Sequence, residues 1–320
     1  MLALKALPAR LVLAPAMAAL TIAAAFAQEE SVEAPDARMQ TAPQHVDEEV
    51  VVRGSRLSEI EFDLRHYVTE FLEEVTAPAR TRGYARWQRR VCIGVHNLEN
   101  TAAQYIVDRI SSLALDVGLD PGEPGCRPDV NILFSTDARQ MASLMVKSQP
   151  RVFRPAGGNA GMDLGLAALD DFAESDRPVR WWHVSLPVDA RTGQAAIAMP
   201  GDPPPTVRLA GPSRIKSGIR DDMLYVIIVV DVTQLAGKTW QQIADYLAVV
   251  SLAQIDPRTN PVSFDSILNL FTNPGAYSGL TDWDRSYLRA LYTFDQERVP
   301  RAQRGDIVSR IVRQERESAQ

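Results

Sequence analysis

The chain is poor in the residues that build metal and disulfide scaffolds: two cysteines and four histidines in 320 residues. Two thiols exclude a disulfide-dense framework and a four-thiolate zinc site. Positive charge is also scarce, with 34 Lys+Arg against 40 Asp+Glu and a formal net charge of −6. Phosphate binding needs a basic footprint, so nucleic acid is excluded as a general partner. No G-x-S-x-G occurs, so a nucleophile-elbow hydrolase lacks its signature. The glycine-rich stretch 156–165 lacks G-x-G-x-x-G. Gly237-Lys238-Thr239 follows an apolar run as a phosphate-binding loop would, but Val232 stands where that pattern needs glycine. Thr239 is better read as a helix N-cap, with Gln242 closing a capping box.

The N-terminus reads as a processing segment. Lys5 and Arg10 precede an apolar run, Leu11 to Ala24, and Ala25-Phe26-Ala27 is an A-x-A cleavage signal. Residues 1–27 are therefore expected to be a signal peptide, and the protein to be periplasmic or secreted. No later apolar run approaches the ~20 residues of a membrane-spanning helix, so no transmembrane segment is expected in the mature chain. Losing Lys5 and Arg10 takes the net charge from −6 to −8, and residues 28–49 alone carry seven acids and one base. Residues 28–56 are expected to form an acidic disordered linker, 57–312 the folded domain, and 313–320 a frayed tail. Export to an oxidising compartment makes one Cys92–Cys126 disulfide the economical expectation.

Ile60, Leu64, Tyr67, Val68, Phe71, Leu72 and Val75 recur at helical spacing and predict an amphipathic helix. Val91–Val95 reads as a strand, Asn100 as the cap of a second helix, and Asp129–Phe134 as a buried strand, suggesting a parallel pair with a crossover helix. A helix is expected near Ala138–Val146. Val179–Leu186 alternates, with Trp182, Val184 and Leu186 on one face and Trp181, His183 and Ser185 on the other. Met223–Val230 is the most apolar strand and is expected to be central. These elements predict an α+β fold, a mixed sheet packed by helices in a single domain.

The run Trp240 to Gln254 has an apolar face (Ile243, Tyr246, Leu247, Val250), a stripe of small residues (Ala244, Ala248, Ser251), and no charge after Asp245. Such a helix is buried on most sides. It resembles the active-site helix of zincin proteases. The segments Ser263–Leu268 (SFDSIL) and Leu280–Tyr292 (LTDWDRSYLRALY) follow. The second is similar to the LT-x-x-D-x-x-x-L-R-x-LY ending of a family of exported proteobacterial proteins with a metzincin-like layout. The resemblance covers residues 58–296 and implies a zincin-like sheet. Set against H-E-x-x-H-x-x-G-x-x-H, this chain has Ala244, Asp245, Ala248, Ser251 and Gln254, and no methionine follows Met223. Alanine offers zinc no lone pair. The resemblance therefore implies a zincin-like fold that has lost its metal, with no cofactor and no metal ligands.

Asp245 is the one weak catalytic candidate, as a shortened general base. The weak binding candidates are Trp181 and His183, as an exposed recognition face, and Gln254. The adjacent pair Asp170 and Asp171 reads as a solvated loop. Arg80, Arg82, Arg86, Arg89 and Arg90 read as a solvated connector or an anion contact. Glu49–Arg56 (EVVVRGSR) resembles the EVVVTGSR start of TonB-dependent receptors. It departs at Arg53, and no barrel-strand series follows. A short strand is expected there, with strand addition to a partner as the sharper alternative. The function expected is that of an exported non-catalytic binding or scaffold protein, acting on an envelope partner or ligand. The alternatives are an atypical hydrolase and an envelope-transport accessory acting through Glu49–Arg56.

Overall fold

In the computed structural model, residues 47–78, 82–155, 161–197 and 216–318 are described. The expected signal peptide (residues 1–27), the expected linker up to residue 46, and Arg80 lie outside the described residues. Residues 50–320 form one compact unit. Its elements run α1 (Asp47–Val75), β1 (Arg90–Val91), β2 (Ile93–His96), α2 (Asn100–Asp116), β3 (Asp120–Pro121), β4 (Val130–Ser135), α3 (Ala138–Ser148), α4 (Pro150–Phe153), α5 (Leu166–Glu174), β5 (Val179–Asp189), β6 (Ile219–Asp231), α6 (Trp240–Leu252), α7 (Asp282–Thr293) and α8 (Pro300–Ser318).

The main sheet has the order β2-β4-β6-β5. β2, β4 and β6 are parallel, and β5 runs antiparallel at the edge. The parallel pair β2–α2–β4 and the interior place of the apolar strand β6 match the sequence expectation. Helices cover both faces. Trp181, Val226, Ile228 and Val230 pack on one side with residues of α1, α2, α6, α7 and α8. Trp182, Val184, Ile227 and Val229 pack on the other with Ala142, Phe153 and Phe172. The fold is α+β, one mixed sheet packed by helices.

Cys92 and Cys126 form a disulfide across 34 residues of sequence. The bridge ties the start of the sheet to the loop before β4. Gly122 lies so close to Cys126 Sγ that any Cβ there would collide with it.

Four local expectations are corrected. Glu49–Arg56 is helical, part of α1, and not a strand or disordered linker. Its β-branched run favours extension, but an isolated strand leaves its backbone groups unpaired, whereas a helix satisfies its own. At the other end α8 continues past Val312 to Ser318. Ile307, Val308, Ile311 and Val312 are buried, and Arg316 reaches Glu61 of α1 at 2.8 Å. Asp170 and Asp171 lie on α5, not on a loop. The N-cap of α2 is Glu99, whose carboxylate accepts from the backbone of Thr101 at 3.0 Å and Ala102 at 3.2 Å; Asn100 is already helical.

The arginine cluster is also more inward than expected. Arg82 pairs with buried Asp221 at 2.6 Å. Arg86 donates to the Leu291 carbonyl at 2.8 Å and lies 5.1 Å from the Phe294 ring centroid. Both tie the segment before β1 into the fold.

Candidate functional site

α6 begins with the expected capping box: Thr239 accepts from Gln242 N, and the Gln242 side chain accepts from Thr239 N. Every residue from Gln242 to Leu252 is buried. Asp245 is 0% exposed. Its carboxylate receives Arg109 of α2 through Nε at 2.5 Å and Nη2 at 3.1 Å, and the Leu280 backbone N–H at 2.8 Å. A Cβ at Gly279 would fall 2.5 Å from Asp245 Oδ2, so that backbone must come close. Asp245 therefore joins three elements and has no open side facing solvent.

The helix's far end is unusual in its donors. A helix leaves its last carbonyls without intrahelical partners. Here the Ala253 N–H takes the Val249 carbonyl at 3.0 Å. His183 Nε2 takes that of Val250 at 2.8 Å, Trp87 Nε1 that of Ser251 at 2.9 Å, and Tyr292 Oη that of Leu252 at 2.7 Å. Trp181 Nε1 takes Ile255 O just beyond, at 2.9 Å. Because the acceptor of His183 is a carbonyl, Nε2 carries the proton. Burial lowers its pKa from the ordinary 6.5 to about 4, so the ring is neutral.

The candidate binding residues are thus redistributed. Trp181 and His183 are not an exposed face; they are 3% and 0% exposed. Strand alternation in β5 separates two buried faces because helices cover the sheet on both sides. Gln254 is buried as well, and its amide oxygen and nitrogen make no hydrogen bond among the described residues. Ala244 and Ala248 are buried and offer no ligand atoms. Among the described residues no three or more His, Cys, Asp or Glu are grouped to hold a metal ion. His66 pairs with Glu70 at 3.3 Å and His96 with Asn131 at 3.3 Å.

The motif after α6 also has a structural meaning. Thr281 and Asp284 form the capping box of α7. Asp284, fully buried, further accepts from Ser266 Oγ at 2.6 Å and Ile267 N at 2.9 Å. The SFDSIL and LT-x-x-D segments are two halves of one hydrogen-bonded clasp. Burial raises the Asp284 pKa against the opposing pull of these donors.

Of Asp245, Trp181, His183 and Gln254, Trp181 lines a cleft among the described residues and the other three do not. A concavity of about 280 Å³ lies where β5 begins, against α6 and the loop after it. It sits at the carboxyl end of β6, since Val179 pairs with Val230 there. Its floor is aromatic: Trp181 and Tyr246 have centroids 6.2 Å apart, and Tyr246 and Phe271 meet edge-on at 5.2 Å. Arg177 and Arg258 also line it. Tyr246, Phe271, Arg177 and Arg258 escape sequence reasoning, because three are loop residues and Tyr246 reads as part of a core stripe. Arg109 escapes it too, since its partner is 136 residues away.

The chain matches no protein-family model, no curated protein and no solved structure.

Proposed function

We propose that this is an exported, non-catalytic binding protein built on a degenerate zincin-like helix. One observation carries the proposal: the carboxylate at the position of the zincin general base is spent on structure. Asp245 is closed in by Arg109 and the Leu280 amide. A general base must reach a proton on substrate or water, and this one has no such approach. Alanine at 244 and 248 supports the same reading. The Cys92–Cys126 bridge supports export, because such bonds persist in oxidising compartments. Strand addition through Glu49–Arg56 is not carried forward, since that segment is helical.

The test is hydrolysis of fluorescent casein by the mature chain with and without added zinc, alongside Asp245→Asn. The expected result is no turnover in any arm. Zinc-dependent hydrolysis that Asp245→Asn abolishes, in a variant with unchanged circular dichroism and cooperative melting, would overturn the proposal.

A further inference from the structure

The aromatic-floored cleft between β5, α6 and the loop after α6 carries chemistry that packing alone does not use. Tyr246 is 6% exposed and lines the cleft, yet its hydroxyl makes no hydrogen bond among the described residues. The hydroxyl oxygen keeps some exposure and opens on the cleft, where its O–H can donate to a bound acceptor. Burial pushes the Tyr246 pKa up, so the group keeps its proton and donates. The positive charge of Arg177 acts on this hydroxyl. The guanidinium of Arg177 makes no hydrogen bond among the described residues; its nearest acid, Asp171, is 3.7 Å away. Arg258 is the second cation of the lining, braced by Asp256 at 3.2 Å through both Nε and Nη2. Neither Asp171 nor Asp256 lines the cleft. A planar carboxylate suits a guanidinium fork, and a phenol donor beside it completes the pairing. The floor of Trp181, Tyr246 and Phe271 offers an aromatic surface for a flat apolar body. The volume of about 280 Å³ is at the small end of ligand sites, enough for a single ring with a short side chain.

We infer that this cleft binds a small organic acid, its carboxylate held by Arg177 and the Tyr246 hydroxyl and its flat apolar body on Trp181 and Phe271. The inference rests on the reading of the chain as a binding protein and supplies its ligand class.

The experiment is calorimetric titration of the mature chain with 3-phenylpropionate, 3-phenylpropionamide and inorganic phosphate. The same titrations follow on Arg177→Gln and Tyr246→Phe, two changes that leave the core volume nearly intact. The acid is expected to bind, the amide at least tenfold more weakly, and phosphate not measurably. Each variant should weaken the acid at least fivefold while melting within a few degrees of the parent. No binding of the acid to the folded parent would overturn the inference. So would equal binding of the amide or of phosphate, or affinity that neither variant moves. Casein hydrolysis measured on the same preparations keeps failure of the ligand assignment distinct from failure of the non-catalytic reading.

Discussion

At the scale of single residues, three buried polar groups on or against α6 behave differently because their partners differ. Asp245 has three donors. Asp245→Ala should cost about 3–5 kcal/mol, the usual loss when one member of a buried pair is removed, reduced somewhat because Arg109 is 29% exposed. Urea unfolding measures it, and Gly279→Ala should be costly for the same reason. Gln254 has no side-chain partner among the described residues. Gln254→Met should therefore be neutral or stabilising, since an unpaired amide is exchanged for an apolar chain of similar size. A loss of several kcal/mol in the same assay would mean that the amide is satisfied by something else. His183 titrates in the unfolded chain near 6.5 and in the fold near 4. Above about 6.5 both states are neutral and the fold is at full strength. As the pH falls through that window the unfolded state takes up the proton and the native state does not, so stability drops. The drop approaches about 3 kcal/mol by pH 4. His183→Gln, which keeps a donor for Val250, should flatten the unfolding free energy between pH 4 and 6.5; an unchanged slope would assign it to carboxylates.

At the scale of elements, α6 is held at both ends by side chains. Its N-terminus uses its own capping box, which was legible because Thr239 and Gln242 stand three residues apart. Its C-terminus uses His183, Trp87 and Tyr292, which come from 67, 164 and 40 residues away in sequence. No local pattern announces such partners, and that is why Trp181 and His183 read as a recognition face from sequence. Alternation reveals that β5 has two faces, not what lies against each. The elements themselves were legible where periodicity was long: α1 from Ile60 onward, α2, β6 and α6. Their ends were not, where tertiary partners extend a helix beyond its apolar stripe, as in α8. The cleft was illegible because it is assembled from a strand, a helix and two loops. Tyr292→Phe removes only the hydroxyl that caps Leu252 O and should cost about 1–3 kcal/mol, read as a lower urea midpoint at unchanged slope. No change would mean that this carbonyl finds another donor.

At the scale of the whole molecule, the Cys92–Cys126 bridge closes a loop in the chain that carries β2 and α2. Cys92→Ser with Cys126→Ser should lower stability by roughly 3–4 kcal/mol in the chain-entropy account, seen as a lower melting temperature that reductant reproduces in the parent. The carbonyl clasp on α6 has a consequence in time. Trp87 precedes α6 in the chain and is available before it, but Tyr292, Asp284 and Thr281 follow α6. Until they emerge, the most apolar helix of the fold has an unsatisfied end and an unclasped neighbour, so the packed state cannot be completed. A chain truncated after residue 280 should show no cooperative thermal transition; a sharp melt would refute this. If the protein is exported as proposed, late closure is an advantage in transit: a polypeptide whose central helix locks only once the segments beyond it have emerged reaches the membrane still threadable.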